Sequence, residues 1–257
     1  MKYIDCHAHI FAENALDYKE QCTGWHQNSV ERILNVFCLE TDLDIAKEVL
    51  QSPNKYPNVY FIAGVTPHGA DKFNKEHEEF LFSHCDQLIA IGETGLDFHY
   101  NLSDRKRQTE SFIRHLEIAC ELQKPIVLHL RDADTEAREI LKDFVGKIPG
   151  VMLHCYTSGE DLAKWSVEQG FYISASGIVT FNKSQPLREI FKQVPLKQLL
   201  VETDSPYLAP PPYRGKTNQS AYIVETYKFL SQMYDIPLQE LSDQVWQNSE
   251  TLFSLSK

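Results

Sequence analysis

Two histidines, His7 and His9, end the first hydrophobic run of the chain. A β-strand points every second side chain to the same face, so the two imidazoles project together. Two imidazoles that converge from one strand can bind a divalent metal ion without help from the residue between them. The first feature of the sequence that could carry chemistry is therefore part of a metal site.

Other candidate ligands follow later apolar runs. Each run ends in one imidazole or one carboxylate: Glu93 after residues 87–92, His129 after residues 125–128, His154 after residues 151–153 and Asp204 after residues 199–203. In a barrel of parallel strands, the C-terminal ends of the strands meet at one face, and that face carries the active site. Six nitrogen or oxygen ligands at that face predict a metal centre and thus a metallohydrolase.

We assign the six side chains to two cations. The first cation is held from strands one and eight, which are neighbours in a closed barrel, and the second from strands five and six. The ligands are His7, His9 and Asp204 for the first cation, His129 and His154 for the second, and Glu93 as a bridge. Two cations about 3.5–4 Å apart can hold a water, lower its pKa and polarise a phosphoryl or carbonyl oxygen.

Glu93 and Asp204 are the predicted catalytic carboxylates. Glu93 can reach both cations through its two oxygens. Asp204 can take a proton from the attacking water and return it to the leaving group. Asp5 lies on the face of His7 and His9, and we expect it to orient an imidazole rather than to bind metal.

The order of elements predicts an α/β fold. Short β-branched or leucine-rich runs alternate with amphipathic stretches, which indicates strands joined by helices in a parallel sheet. The predicted strands are residues 3–9, 33–38, 59–65, 88–93, 126–129, 151–154, 171–174 and 199–202, and the predicted helices are residues 42–51, 71–84, 104–122, 135–145, 160–168, 186–191, 219–234 and 238–253. Eight strands and 257 residues predict a single (β/α)8 TIM barrel over residues 1–257.

Two segments have no regular pattern, residues 13–28 and residues 209–218. Both would lie on the catalytic face, where loops carry substrate contacts. The first is equally consistent with an ordinary connection. The second brings Arg214 and Lys216 near the end of the eighth strand, which favours a functional loop.

Composition limits the classes of function. With 25 basic and 36 acidic residues, the net charge is −11, which argues against a broad basic face that grips duplex DNA. The six cysteines form no CxxC pair and are predicted to be reduced. The chain starts with a charged, histidine-containing strand instead of a signal peptide, and no apolar stretch approaches the roughly 20 residues that span a bilayer. We therefore expect a cytoplasmic protein that does not enter the membrane.

The assembled motifs resemble the TatD family of metal-dependent hydrolases, whose members are often described as deoxyribonucleases. The matching stretches occur in family order across nearly the whole chain: Asp-Cys-His-Ala-His at residues 5–9, Gly-Glu-Thr-Gly-Leu-Asp-Phe at 92–98, Pro-Ile-Val-Leu-His-Leu-Arg-Asp-Ala at 125–133, His-Cys-Tyr-Thr-Ser-Gly at 154–159, Glu-Thr-Asp-Ser-Pro-Tyr-Leu at 202–208 and Arg-Gly-Lys-Thr-Asn at 214–218. The resemblance implies a TIM barrel of the amidohydrolase-like superfamily with one to three divalent cations.

The chain departs from the family pattern at two places. Where the family often has Gly-x-His-Pro-His, residues 64–68 read Gly-Val-Thr-Pro-His, so Thr66 replaces a histidine that the resemblance places at the scissile phosphate. The family's Asn-Glu-Pro is Asn218-Gln219-Ser220 here. The first change makes phosphodiester cleavage less certain, and the second alters substrate contacts or only the start of a helix.

Substrate contacts are predicted from cationic and aromatic residues near the strand ends. Arg131 lies two residues after His129 and could clamp a phosphate through its bidentate guanidinium, or could form a salt bridge within the loops. Aromatic rings near the mouth could stack on an unpaired base or simply pack. The candidate substrate-binding residues are Arg131, Arg214, Lys216, Tyr207 and His68, with Phe98 as a further aromatic.

Three functions are compatible with these residues. The leading hypothesis is a divalent-metal deoxyribonuclease that cleaves phosphodiesters as an exonuclease at DNA ends or acts on a small phosphodiester, because such an enzyme engages few phosphates. The alternative keeps the metal chemistry and hydrolyses an ester or amide bond, as an aminoacyl-tRNA deacylase would. The third is a scaffold without catalysis. The ligand set leaves Zn, Mn, Mg and Ni open, and we favour a monomer.

Overall fold

A computed structural model describes residues 1–255 as eight parallel strands in chain order, with helices outside the sheet. The strands are β1 (Tyr3–Ala8), β2 (Val30–Cys38), β3 (Val59–Gly64), β4 (Leu88–Asp97), β5 (Ile126–Arg131), β6 (Val151–Leu153), β7 (Tyr172–Ala175) and β8 (Leu199–Val201). The helices are α1 (Tyr18–Gln27), α2 (Leu39–Leu50), α3 (Lys75–Ser83), α4 (Arg105–Leu122), α5 (Asp134–Leu141), α6 (Glu160–Glu168), α7 (Gln185–Phe191), α8 (Ile223–Tyr234) and α9 (Leu238–Phe253). The predicted (β/α)8 barrel is confirmed.

The prediction of an irregular segment over residues 13–28 is wrong, because α1 lies there. Asp17 caps this helix by accepting a hydrogen bond from the Lys19 amide at 2.9 Å. The side chain of Gln21 is buried and donates to the carbonyl of Ile10 at 3.0 Å. Trp25 is buried against the core. With so few apolar residues, the segment lacks the periodic pattern by which the other helices are recognised.

Two further helices begin later than the sequence indicates. The predicted helix over residues 71–84 is a 3-10 turn (Pro67–Lys72) followed by α3, which Asn74 and His77 cap reciprocally. The predicted helix over residues 219–234 starts with a 3-10 turn (Ser220–Tyr222) before α8. In both cases the loop at the catalytic face is longer than predicted.

Strand β4 extends to Asp97, four residues beyond its predicted end. Gly95 makes this extension possible, since its φ is +141° and a Cβ there would come within 2.1 Å of the His129 carbonyl oxygen. The strand therefore brings two carboxylates, Glu93 and Asp97, to the same end of the barrel.

The barrel closes between β1 and β8 through few backbone pairs. In residues 1–255 the segment just after β8 meets β1 at an isolated bridge between Ser205 and Ala8, with a hydrogen bond from the Asp204 amide to the His7 carbonyl at 3.0 Å. The buried carboxylate of Asp5 adds to the closure, accepting from the amide of Thr203 at 2.8 Å and from its hydroxyl at 2.5 Å. Asp5 thus ties the start of the chain to the segment that carries Asp204.

The layer between sheet and helices is largely apolar, but it also contains buried polar side chains. His115 of α4 is one of them, and its side chain is fully buried. Its Nε2 accepts from the Val65 amide at 3.1 Å, and its Nδ1 lies 2.7 Å from the Ser111 carbonyl. No helix in the described residues is long and apolar enough to cross a membrane.

Candidate metal centre and active site

The six predicted ligands meet at the C-terminal ends of the strands. The first group surrounds Nε2 of His7 and of His9, which lie 3.2 Å apart. Glu93 Oε2 is 3.3 Å from the former and 3.7 Å from the latter, and Asp204 Oδ1 is 3.8 Å and 3.5 Å from the same two nitrogens. Strand alternation therefore brings His7, in β1, and His9, which directly follows that strand, to one point.

The second group uses the other oxygen of Glu93. Its Oε1 lies 2.8 Å from Nδ1 of His129 and 3.1 Å from Nε2 of His154, and these two nitrogens are 3.2 Å apart. One carboxylate thus faces two clusters, each of which could hold one cation. This is the geometry expected of a bridging ligand.

The spacing of these atoms fits divalent cations. Ligands around a tetrahedral cation at 2.0–2.2 Å lie roughly 3.3–3.6 Å from one another, and the atoms of the first group are 3.2–3.8 Å apart. Because these atoms are mostly acceptors, their lone pairs repel one another at such distances unless a proton or a cation lies between them. The mixed imidazole and carboxylate set therefore fits a pair of cations.

The electrostatics of the cluster favour added positive charge. Burial opposes a charge on His9, but the carboxylates of Asp204 and Glu93 raise its pKa to about 9. Burial also opposes ionisation of Glu93, yet the histidines around it hold its pKa well below the usual range. The pKa of Asp204 is lowered against burial by His9 and His154. Protons or cations are thus required to balance the negative charge of the Glu93 and Asp204 carboxylates in this pocket.

Partners outside the cluster orient two of the imidazoles. His9 Nδ1 donates to the Val36 carbonyl at 3.1 Å, which leaves Nε2 free to bind a metal ion. His129 Nε2 donates to Asp97 Oδ2 at 3.0 Å, which leaves Nδ1 free to do the same. Such hydrogen bonds set the tautomer and the ring orientation of metal-binding histidines.

Asp97 is the organising carboxylate that sequence reasoning missed as a functional residue. Its Oδ2 also accepts from His68 Nε2 at 2.9 Å, and its Oδ1 accepts from the amides of His99 and Tyr100 at 3.0 and 2.8 Å. Burial opposes its charge, but the hydrogen bonds from His129, Tyr100 and His68 lower its pKa. The available signal was its position, four residues after Glu93 in the same motif.

Glu202 supports the other end of the cluster. Its Oε1 accepts from the Cys155 amide at 2.6 Å and lies 3.3 Å from His154 Nδ1. Both Glu202 Oε2 and His154 Nδ1 are buried without a hydrogen-bond partner in the described residues. Glu202 therefore provides buried negative charge beside a predicted ligand.

Two cysteines lie beside the ligand clusters. Cys155, which follows the predicted ligand His154, adopts a φ of 44° and lines the cavity. Cys38, which ends β2, has its Sγ 3.7 Å from Nδ1 of His9. Burial raises the pKa of both thiols well above the usual value, so each is a neutral thiol.

A cavity of about 1000 Å³ opens above the cluster. Its lining includes three of the predicted substrate contacts, Arg131, His68 and Tyr207. Arg214 is not in this lining; its guanidinium lies 3.6 Å from the centre of the Phe181 ring and donates to the Ala209 carbonyl at 3.0 Å. Lys216 is also outside the lining, with its Nζ 5.8 Å from the centre of the Tyr213 ring.

The substituted position Thr66 forms part of the cavity wall. Its hydroxyl donates a short hydrogen bond to Glu40 Oε1, and its amide donates to Glu40 Oε2 at 3.3 Å. Burial raises the pKa of Glu40. A half-buried carboxylate thus accompanies the hydroxyl at the place where the family resemblance implies an imidazole.

Comparisons with known proteins place the chain among metal-dependent hydrolases. The family model described as TatD related DNase matches residues 4–254. The metal-dependent hydrolase YcfH of Escherichia coli K12 is 41% identical over 264 residues, covering 99% of this chain and 97% of that protein. The 3′-5′ ssDNA/RNA exonuclease TatD of Salmonella typhimurium LT2 is 32% identical over 84% of this chain and 85% of its own length. The crystal structure of YJJV, a TatD homolog from Escherichia coli K12, superposes with a TM-score of 0.88 at 23% identity, over 99% of this chain and 98% of that one.

The fold and the ligand clusters define a metal-dependent hydrolase built on a TIM barrel, so the scaffold hypothesis is set aside. The chain belongs to the TatD family.

Proposed function

We propose that this chain is a deoxyribonuclease that hydrolyses phosphodiester bonds at the ends of DNA strands. The observation that carries the proposal is the arrangement of one cavity, which has two ligand clusters at its floor and Arg131 in its wall. The similarity to the 3′-5′ ssDNA/RNA exonuclease TatD of Salmonella typhimurium supports the proposal. A net charge of −11 suits an enzyme that engages few phosphates at a strand end.

His7, His9 and Asp204 would hold one divalent cation, His129 and His154 the other, and Glu93 would bridge them. When bound, the cations supply Lewis acidity that lowers the pKa of water and polarises a phosphoryl oxygen. The protein fixes this geometry through its buried carboxylates and through the hydrogen bonds behind the imidazoles.

Asp204 acts as the proton acceptor in this reaction. Its Oδ1 faces His7 and His9, which leaves Oδ2 to take a proton from the attacking water. The water oxygen forms a bond to phosphorus as the bond from phosphorus to the leaving oxygen breaks. Asp204 then returns the proton to that leaving oxygen, so the step is balanced.

Arg131 binds the phosphate in this proposal. Its guanidinium lines the cavity, and the neighbouring Asp132 pairs with His99 at 2.9 Å instead of with Arg131. In residues 1–255 no carboxylate forms an ion pair with Arg131, so its planar donors remain available for two phosphate oxygens.

The test uses end-labelled single-stranded DNA with Mg²⁺, Mn²⁺ or Zn²⁺ and resolves the products by length. We expect stepwise shortening by the wild type and none by Asp204→Asn. Arg131→Ala should raise KM about tenfold, while the matched variant Arg214→Ala, whose guanidinium is engaged away from the cavity, should change it less than about twofold. Metal-loaded protein that releases no nucleotide would refute the proposal.

A second candidate is hydrolysis of an ester or amide bond, as in an aminoacyl-tRNA. The pair of Thr66 and Glu40 favours it, because a carboxylate in the wall repels phosphate groups on that side of the cavity. Turnover of an acyl ester and of a phosphodiester by the same metal-loaded preparation separates the two candidates. The second candidate would be supported if the wild type hydrolyses the acyl ester faster than the phosphodiester. Thr66→His should then increase the turnover of the phosphodiester relative to that of the ester.

A further inference from the structure

An exposed aromatic residue that sequence analysis does not single out stands at the mouth of the cavity. Tyr100 lines the cavity and is 55% exposed, and Leu102, two residues later and outside the lining, is 66% exposed. Tyr207, also in the lining, is 52% exposed. Single exposed apolar residues are ordinary on protein surfaces, but two half-exposed tyrosines in the wall of one cavity indicate a ligand with an apolar face.

Tyr100 is held in place by the residues that organise the metal centre. Its amide donates to the buried carboxylate of Asp97 at 2.8 Å, and that carboxylate also accepts from the predicted ligand His129. Farther along the loop, Asn101 donates to the Phe98 carbonyl at 2.7 Å. A preorganised aromatic side chain loses little conformational entropy when a ligand binds.

Arg131 lies against the Tyr100 ring. Its Cζ is 4.7 Å from the ring centre, within the range of a cation–π interaction. The plane of the His99 imidazole is inclined at 87° to the Tyr100 ring, and the two ring centres are 4.9 Å apart. Asp132 contacts the His99 imidazole and fixes its position. Since Tyr100 remains more than half exposed with these neighbours in place, part of its ring is uncovered.

Phe98, the aromatic residue suggested by the sequence for base stacking, is already engaged. The guanidinium of Arg105 lies 4.3 Å from its ring centre, and Phe98 is not in the lining of the cavity. Of the two aromatic residues in this loop, Tyr100 is therefore the one that a ligand in the cavity can contact.

We propose that Tyr100 and Arg131 together form a nucleotide subsite, in which the uncovered part of the Tyr100 ring stacks on a nucleobase and the Arg131 guanidinium binds the adjoining phosphate. A nucleotide has this pair of groups, a flat π face and an anionic phosphate, within one residue of the polymer. Stacking accepts any base, because every base has a π face. The inference rests on the proposed nuclease function, and it names the nucleotide unit as the substrate class that this wall recognises.

The experiment compares two oligonucleotides with the same phosphates, an oligothymidylate and its abasic counterpart. We expect Tyr100→Leu to lower kcat/KM about tenfold on the oligothymidylate and less than about twofold on the abasic strand. Tyr100→Phe keeps the ring and should retain the wild-type value on both. Equal losses by Tyr100→Leu on both strands would overturn the proposal, because the ring would then act only by supporting Arg131 or the loop.

A binding measurement separates this inference from the nuclease proposal. Calorimetry on metal-loaded protein compares thymidine 5′-monophosphate with 2-deoxyribose 5-phosphate. We expect the nucleotide to bind about tenfold more tightly to the wild type and to lose that advantage in Tyr100→Leu. If the wild type hydrolyses neither oligonucleotide but shows this binding difference, the nuclease proposal fails and the subsite stands. Equal affinities for the two phosphates would refute the subsite itself.

Discussion

Replacing Asp97 by Asn should weaken one metal position and leave the other intact. The Oδ1 of Asp97 accepts from two backbone amides, those of His99 and Tyr100. An Asn side chain must keep its oxygen there, since its NH2 group cannot accept. The amide nitrogen then takes the place of Oδ2 and faces Nε2 of His129 and of His68, which lie 3.0 and 2.9 Å from that atom.

The substitution Asp97→Asn therefore forces His129 into the tautomer that cannot bind a metal ion through Nδ1. Facing an N–H donor, His129 Nε2 must become the acceptor, and the ring proton moves to Nδ1, the atom that faces Glu93 Oε1 at 2.8 Å. That proton occupies the direction of the second cation. Loss of the carboxylate behind a metal-binding histidine typically costs 10–100-fold in affinity, or about 1.4–2.8 kcal/mol.

Metal titration against a chromophoric chelator measures the effect. We expect two cations in the wild type, and in Asp97→Asn a 10–100-fold weaker second cation with the first unchanged. His68→Gln is the matched control, because it removes another partner of the same oxygen while the bond from His129 to Asp97 remains. Wild-type affinity at both positions in Asp97→Asn would refute the reasoning.

Three further predictions follow from other parts of the structure. Burial lowers the pKa of His115 to about 4 from 6.5, with the charges of His77 and Arg114 acting in the same direction and the Ser111 carbonyl and Glu78 opposing. Between pH 6.5 and 4 the imidazole of His115 therefore binds a proton in the unfolded chain but not in the folded one. The free energy of unfolding should fall by about 3 kcal/mol as the pH drops through this range. Urea titrations of His115→Gln should lack this pH-dependent loss. Asp5→Ala should lower that free energy by about 3 kcal/mol in the same assay at pH 8, because two buried donors of Thr203 lose their acceptor; a change below about 0.5 kcal/mol would contradict the closure role. Adding Mn²⁺ to chelator-treated protein should raise Tm by about 5–10 °C, and Glu93→Gln, which loses the bridge, should show a much smaller rise in a thermal scan.

Much of this architecture is predictable because the barrel repeats one physical pattern. Each buried strand begins with a short apolar run, and the first polar residue after that run lies near the shared C-terminal face, just past the strand at His154 and within the strand at Glu93. Strand alternation is enough to bring His7 and His9 within 3.2 Å. The ligand cluster is thus visible in the sequence before any coordinates.

The residues outside the ligand set that support the site and the core are not predictable in the same way. Asp97 acts because Gly95 lets β4 continue past Glu93, and nothing in a hydrophobic pattern indicates that extension. Histidine is a residue type that is common on protein surfaces, and nothing in the local sequence marks His115 as buried. Its burial depends on contacts such as the hydrogen bond from the Val65 amide, 50 residues away. Such contacts depend on tertiary packing rather than on local sequence.

Two arginines show the same limit. Arg131 and Arg214 both follow the ends of predicted strands and look equivalent in the sequence. The structure separates them, because one guanidinium reaches the cavity over Tyr100 and the other lies on Phe181. Arg131 lies at the end of β5 and Arg214 lies in the loop after β8, and spacing along the chain does not encode which ring each guanidinium contacts.

The seam between β1 and β8 has a consequence for biosynthesis. His7 leaves the ribosome nearly two hundred residues before Asp204 and the Thr203 amide that binds Asp5. During translation the first of the two proposed metal positions therefore stays incomplete until the eighth strand is released and docks beside the first. A nascent chain lacks the full ligand set, so the cell makes this hydrolase in a form that becomes competent only when the ring of strands is finished.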